Sequence, residues 1–158
     1  MEKPRVYLET SVISYLTARP SRDVVVAGHQ QITQDWWEKR RHAFHLVASE
    51  LVRQEAGAGD EAAAQARLKI LRDVELLAAS AEASALAAAL LAPGPLPRKA
   101  AEDALHIAIS VTNGADYLLT WNCKHLANAA MRSSIEKICR SVGFEPSIIC
   151  TPEELLEA

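Results

Sequence analysis

The strongest constraint on the fold is a regular alternation of short apolar segments with segments of helical pattern. Residues 5–8 read as an apolar strand, and Thr10 or Ser11 can then cap a helix that runs to about Thr17. The same order recurs along the whole chain. Strands are predicted at 5–8, 43–48, 74–77, 117–120 and 147–150. Because strands that alternate with helices usually pair in parallel, the pattern predicts an α/β fold in which helices flank a mostly parallel sheet of about four to five strands.

The predicted helices begin at capping residues and end at glycine or proline. Ser21 or Asp23 can cap the second helix, and Ser49 and Ser80 can cap later ones. A turn rich in proline at 93–97 separates two helices in the second half of the chain. The helices are predicted at about 10–17, 23–41, 49 to 57 or 59, 60–73, 80–91, 99–112 and 131–142. Without repeats or linkers, residues 1–158 are expected to form a single domain.

Composition limits the class of protein. The chain has 158 residues, of which 49% are hydrophobic and 23% are charged, as in ordinary globular domains. Its three cysteines, Cys123, Cys139 and Cys150, lack the spacing of a disulfide framework or a zinc site, which favours a reducing cytoplasm. We expect neither a signal peptide nor a membrane span. The net charge of −3 lacks the basic character typical of nucleic-acid binders.

Acidic and amide side chains stand where the loops of a parallel sheet converge. Glu9 and Asn122 follow the first and fourth predicted strands, and ligands of such sheets bind outside these carboxyl ends. Asp103 lies near the start of the helix before the fourth strand, so its first turn can approach the same edge. Glu55 lies on the helix after the second strand. Glu50, five residues earlier, points about 140° away on that helix and does not easily share a site with Glu55.

Each of these residues also has an ordinary structural interpretation. Glu9 can stabilise a helix N-terminus through the helix dipole, and Glu55 can be a solvated surface acid. Asp103 can face solvent in the first turn of its helix, although an acid beside so much apolar surface needs a partner. Asn122 can serve a turn. His106, three residues after Asp103, is predicted to be a packed or hydrogen-bonded helix residue rather than a ligand.

Four segments together resemble the PIN domain family, especially its VapC-type toxin ribonucleases. The segments are Leu8-Glu9-Thr10-Ser11, Ser49 with Glu55, Asp103-Ala104-Leu105-His106-Ile107-Ala108 and Leu119-Thr120-Trp121-Asn122. The resemblance covers nearly the whole chain and is most specific in the last third. It implies a PIN-like three-layer fold and a metal-dependent endoribonuclease that uses Mg²⁺ or Mn²⁺ to activate water for attack on RNA phosphorus.

The resemblance also implies the site residues. Glu9, Glu55, Asp103 and Asn122 match the four positions that hold one or two ions, and three hydroxyl residues match positions that support the site: Thr10, Ser11 and Thr120. Glu9 and Asn122 stand where the family usually has Asp. Because the longer Glu side chain must fold back or the ion must shift, we expect weak metal affinity or a preference for Mn²⁺.

Partners follow from the same resemblance. RNA is the expected substrate, a small antitoxin protein the expected partner, and a homodimer the expected assembly, with no membrane association. Three tryptophans are candidates for stacking on RNA bases or for an interface: Trp36, Trp37 and Trp121.

Two other functions are compatible with the sequence. A PIN-like module that binds RNA or a partner without cutting is the first, because Glu9, Asn122 and the acidic pI depart from the family pattern. A hydrolase of the haloacid dehalogenase type is the second. It is disfavoured because that family requires an aspartyl nucleophile and a second Asp two residues later, where this chain has Glu9 and Ser11.

Overall fold

The computed structural model describes residues 2–91 and 94–157 and has a five-stranded sheet in which every neighbouring pair is parallel. The strands are β1 (Arg5–Leu8), β2 (His45–Ser49), β3 (Glu75–Leu77), β4 (Tyr117–Leu119) and β5 (Ile148–Cys150). Their spatial order is β3-β2-β1-β4-β5, so β1 is the central strand. The α/β fold and the sheet of about four to five strands predicted from the alternation are confirmed.

Seven α-helices in the described residues flank the sheet. They are α1 (Thr10–Thr17), α2 (Val24–Arg40), α3 (Glu50–Ala56), α4 (Glu61–Leu71), α5 (Ala81–Leu91), α6 (Ala101–Thr112) and α7 (Ala129–Ser141). None of these helices is long and apolar enough to cross a membrane. Pro93, in the turn predicted at 93–97, lies outside the described residues, as do positions 1 and 158 of the predicted single domain, and that domain assignment stays a prediction.

Strand register assigns side chains to the two faces of the sheet. Tyr7 on β1 is paired with Val47 on β2 and Leu118 on β4, and all three are fully buried. Because side chains alternate between faces along a strand, Tyr117 lies on the face opposite Tyr7. By the same alternation Glu9, just past the end of β1, continues the face of Tyr7.

Several predicted boundaries need correction. The second strand begins at His45 instead of residue 43, because 41–43 form a 3-10 turn that ends α2. The sixth helix begins at Ala101 after another 3-10 turn. The cap of α1 is Glu9, whose side chain accepts from the Ser11 N–H, and neither Thr10 nor Ser11 has that role. By contrast Ser49 caps α3 as predicted, accepting from the Val52 N–H at 3.1 Å.

The long helix α2 packs against the rest of the protein through its tryptophans. Trp36 is fully buried and stacks on Phe44, with ring centroids 5.9 Å apart. It is therefore a core residue, and its ring cannot reach an RNA base in this structure. The exposed apolar residues of α2 are instead Val24 and Val25, in its first turn.

Candidate metal site at the carboxyl edge of the sheet

Glu9 is a buried carboxylate held by three donors, two from Ser11 in the first turn of α1 and one from Thr120 just past β4. Its side chain is 7% exposed. Oε2 accepts from the Ser11 backbone N–H at 3.1 Å, and Oε1 accepts from the hydroxyls of Ser11 and Thr120, each at 2.5 Å. The longer Glu side chain therefore folds back onto its own helix. A carboxylate has about four acceptor sites, so these three bonds leave Glu9 the capacity to bind a further group.

The two hydroxyls beside Glu9 are themselves oriented by backbone N–H groups. The Trp121 N–H donates to Ser11 Oγ at 2.8 Å, and the Asn122 N–H donates to Thr120 Oγ1 at 2.9 Å. Each hydroxyl thus accepts one hydrogen bond and gives its proton to Glu9. Of the predicted hydroxyl residues, Ser11 and Thr120 hold this carboxylate in place.

Glu55 approaches the same edge from α3 and is a quarter exposed. Its Oε1 accepts hydrogen bonds from the Thr10 hydroxyl and, at 2.8 Å, from His106 Nε2. Burial tends to raise the pKa of Glu55, but interaction with His106 and the hydrogen bond from Thr10 outweigh it and lower the pKa to about 2. Glu55 is therefore ionised throughout the physiological range.

A further acid, Glu102, lies against Glu55 at the start of α6. Its hydrogen bond with Glu55 and the negative charge of that residue raise the pKa of Glu102. Glu102 is exposed, so the cause is the neighbouring carboxylate far more than burial. Competition of this kind between acids is relieved when a cation binds between them.

Glu9, Glu55 and His106 are brought together across three elements. Their ligand atoms all lie within 4.8 Å of one another, which makes them a group that could hold a metal ion. The donor set contains two carboxylates from different elements, which suits Mg²⁺ or Mn²⁺. His106 is 1% exposed and hydrogen-bonded at both ring nitrogens, as predicted for a packed helix residue.

Asp103 lies outside that group of three. Its Oδ1 accepts from Asn122 Nδ2 at 3.1 Å, and its Oδ2 lies 2.9 Å from His125 Nδ1. The structure thus places Asp103 with Asn122 and His125, one turn of α6 before His106. The assignment of Asp103 as a metal ligand stays a prediction.

The side chain of Asn122 is engaged at both ends. Besides donating to Asp103, it accepts from the backbone N–H groups of Lys124 and His125 through Oδ1, at 3.2 Å each. Both lone pairs of the amide oxygen are therefore used. The assignment of Asn122 as a ligand stays a prediction, and it would require the loop after β4 to release one of these bonds.

Three residues of this region were not singled out from the sequence. Tyr7 could have been found, because a phenol in a buried strand needs a partner and shares a strand face with Glu9. Glu102 could have been found from its spacing to His106, four residues apart on one helix face. His125 had no local signal, since it reaches Asp103 only through the fold of the loop 123–128.

Trp121 is largely enclosed by other rings. It is 8% exposed, its ring stacks on His29 with centroids 4.1 Å apart, and Tyr15 lies at 6.2 Å. Its indole N–H donates to Thr33 Oγ1 at 2.7 Å. These contacts fix the residue between Thr120 and Asn122, so its packing contributes to the geometry of the site.

Comparison with known proteins identifies solved structures that resemble this one. No family model matches the chain, and no curated protein matches it. A solved chain in the crystal structure of VapBC2 from Rickettsia felis bound to a DNA fragment from their promoter matches with a TM-score of 0.58 and 16% identity, covering 93% of this chain and 98% of that one. A chain of VapBC-5 from Mycobacterium tuberculosis, a member of the VapBC family of toxin-antitoxin systems, matches with a TM-score of 0.48 and 16% identity over 75% of this chain and 85% of that one.

Identity at this level establishes shared architecture and not shared chemistry. The five parallel strands, the flanking helices and coverage of nearly the full length of both chains agree with the fold expected from the resemblance. The chain has a PIN-like α/β fold, the architecture of the similar chain in the Rickettsia VapBC2 structure.

Proposed function

We propose that the protein is a metal-dependent endoribonuclease that cleaves RNA phosphodiester bonds. The observation that carries the proposal is the convergence of the Glu9 and Glu55 carboxylates, whose nearest ligand atoms lie within 4.8 Å of each other at the carboxyl edge of the sheet, beside His106. Ligands of open parallel sheets bind at this edge. The carboxylates of Glu9 and Glu55 are oxygen donors of the kind that a divalent cation prefers, and Glu102 lies against Glu55.

Each residue of the proposed metal site would have its own role. Glu9 and Glu55 hold the ion, with Ser11, Thr120 and Thr10 fixing their carboxylates by hydrogen bonds. Asp103 on α6 and Asn122 in the loop after β4, which are hydrogen-bonded to each other, would complete the ligand set. A divalent ion bound here would supply a Lewis acid and offset the negative charge of the phosphate.

Charge makes the cation necessary under this proposal. Without it, three carboxylates at one sheet edge would repel the phosphates of RNA, and the chain as a whole carries a net charge of −3. Metal affinity and RNA cleavage should therefore be lost together. The predicted weakness of the site, or a preference for Mn²⁺, is part of the same proposal because Glu9 replaces the usual Asp.

The test is cleavage of a mixed single-stranded RNA with Mn²⁺ or Mg²⁺, with EDTA as the metal-free control. Glu55→Gln should abolish metal-dependent cutting. Glu50→Gln is a matched control, because Glu50 lies on the same helix but is exposed and paired with Arg53 at 2.7 Å. Cutting that persists equally in Glu55→Gln protein, or an absence of cutting with both metals, would overturn the proposal.

The biological setting we propose is the toxin of a type II toxin-antitoxin pair, with an antitoxin protein as partner and a homodimer as the assembly. The motif resemblance and the similarity to a chain of a VapBC2 complex support it. The test is growth arrest on expression of the intact protein, no arrest with Glu55→Gln, and rescue by a small protein encoded beside it. A cytoplasmic location stays a prediction.

A second candidate function is a PIN-like module that binds RNA or a partner without cutting. One observation favours it. Both carboxylate oxygens of Asp103 accept hydrogen bonds, one from Asn122 and the other from His125, and Asp103 lies outside the group of Glu9, Glu55 and His106. RNA binding that persists in EDTA, without cleavage in Mn²⁺, would select this function over the nuclease.

A further inference from the structure

A chain of buried hydrogen bonds runs behind Glu55. Ser49 Oγ lies 2.7 Å from the Tyr7 hydroxyl, which lies 2.7 Å from His106 Nδ1, and His106 Nε2 lies 2.8 Å from Glu55 Oε1. The four residues come from the end of β2, from β1, from α6 and from α3. These hydrogen bonds therefore connect the central strand β1 to an acid of the proposed metal site.

Hydrogen-bond donors determine the direction of this chain. The Val52 N–H donates to Ser49 Oγ at 3.1 Å, so Ser49 can give its own proton to Tyr7. The phenol of Tyr7 has a single O–H, and because its oxygen accepts from Ser49, that O–H points to His106 Nδ1 and donates to it. The carboxylate of Glu55 is only an acceptor, so the proton on the facing ring nitrogen of His106 lies at Nε2.

Burial makes this network rigid. Tyr7 is fully buried and His106 is 1% exposed, and their rings meet edge to face with centroids 5.8 Å apart. Leaving a buried hydroxyl or imidazole without a hydrogen-bond partner destabilises the folded state. Any other rotamer of Tyr7 or His106 would break at least one bond of the chain, so the proton donor facing Glu55 is held in one position.

We propose that Tyr7 and His106 are positioning residues that orient Glu55 for cation binding, with His106 acting through its Nε2 proton and not as a ligand. This inference rests on the proposed metal site. Metal-binding side chains in proteins are commonly oriented by such outer partners, whose loss costs about 10–100-fold in metal affinity. Here the outer partner is an imidazole that is itself oriented by a phenol.

The experiment measures Mn²⁺ binding to the metal-free protein by electron paramagnetic resonance, without RNA. Tyr7→Phe removes the hydroxyl that orients His106 and keeps the ring. Tyr117→Phe is the matched control, because it makes the same change on the neighbouring strand β4, on the opposite face of the sheet. We expect Tyr7→Phe to weaken Mn²⁺ binding about 10–100-fold and Tyr117→Phe to leave it unchanged.

A second pair of variants tests the N–H of His106 that faces Glu55. This pair also keeps the inference testable if the Tyr7→Phe protein does not fold. His106→Gln keeps an N–H that can face Glu55, whereas His106→Leu fills similar space without a donor. We expect the Gln variant to bind Mn²⁺ more tightly than the Leu variant. Equal affinities of the two variants would overturn the positioning role.

A spectroscopic signature separates positioning from coordination. In the Mn²⁺-loaded wild-type protein, electron spin echo spectra should lack the coupling of a directly bound nitrogen. A nitrogen coupling that disappears in His106→Gln protein would make His106 a ligand and overturn the inference.

The inference and the proposed function fail in different ways. Wild-type protein that binds no Mn²⁺ would overturn both. Wild-type protein that binds Mn²⁺ and cuts RNA, with Tyr7→Phe binding just as tightly, would overturn the positioning role alone. Folding of each variant is checked by circular dichroism before titration.

Discussion

Nδ1 of His125 lies 2.9 Å from Oδ2 of Asp103, and both side chains are mostly buried. Since a carboxylate only accepts, the imidazole N–H donates, and the remaining oxygen of Asp103 accepts from Asn122. The loop after β4 thus orients the acid of α6 from two sides. Asp103 is therefore connected to the candidate site through Asn122 and His125, which lie about 20 positions away in the sequence.

The first prediction concerns that contact. His125→Ala should reduce metal-dependent RNA cleavage about 10–100-fold, because Asp103 loses the donor that orients it. Cleavage rates at saturating Mn²⁺ test this, with His42→Ala as the control, since His42 is an exposed histidine near the opposite end of the sheet. Full activity in the His125 variant would mean that the orientation of Asp103 does not matter to the reaction.

The second prediction concerns metal and stability. A ligand that binds only the folded state stabilises it by about 2.7 kcal/mol at 100 times its dissociation constant. For a chain of this size Tm should rise by about 5–10 °C with saturating Mn²⁺. Thermal melts of Glu9→Gln protein should show no such rise, because Glu9 contributes a buried carboxylate to the site. An equal rise in both proteins would place the ion elsewhere.

The third prediction concerns Ser49, which has two structural roles. Ser49→Ala removes the cap of α3, worth about 1 kcal/mol, and also leaves the buried Tyr7 hydroxyl without one partner, worth about 1–3 kcal/mol. Urea denaturation should therefore report a loss of about 2–4 kcal/mol. Ser80→Ala is the comparison, since Ser80 is exposed and its hydroxyl accepts from the Ala83 N–H in the same capping role. Equal losses would contradict a role for Ser49 in the buried network.

The fourth prediction concerns thiol reactivity. Burial raises the pKa of Cys139 to about 11 and that of Cys150 to about 12, whereas Cys123 is exposed. Because the thiolate is the reactive form, only Cys123 should react quickly with Ellman's reagent in native protein at pH 8. All three should react in denaturant. Rapid reaction of two or three thiols in the native protein would contradict the packing around β5 and α7.

Local sequence determined much of the architecture. The alternation of apolar strands with capped helices predicted the parallel sheet, because a strand that feeds a helix returns to pair in parallel. The caps at Ser49 and Ser80 were readable because a side-chain oxygen there meets free N–H groups within three residues. Glu9 at the carboxyl edge of the sheet followed from its place directly after a buried strand.

Tertiary structure decided which of the acids meet. The distance from Glu55 to Glu9 depends on how α3 rotates and packs beside β1, and a helix places residues around its full circumference in every 3.6 positions. Tyr7, His106 and Glu55 are separated by 48 to 99 positions in the sequence. They form one hydrogen-bonded network only because the sheet register and α6 bring them together. Side-chain spacing along the sequence could predict that an acid lies near the edge, but contacts between distant elements arise only when the core packs.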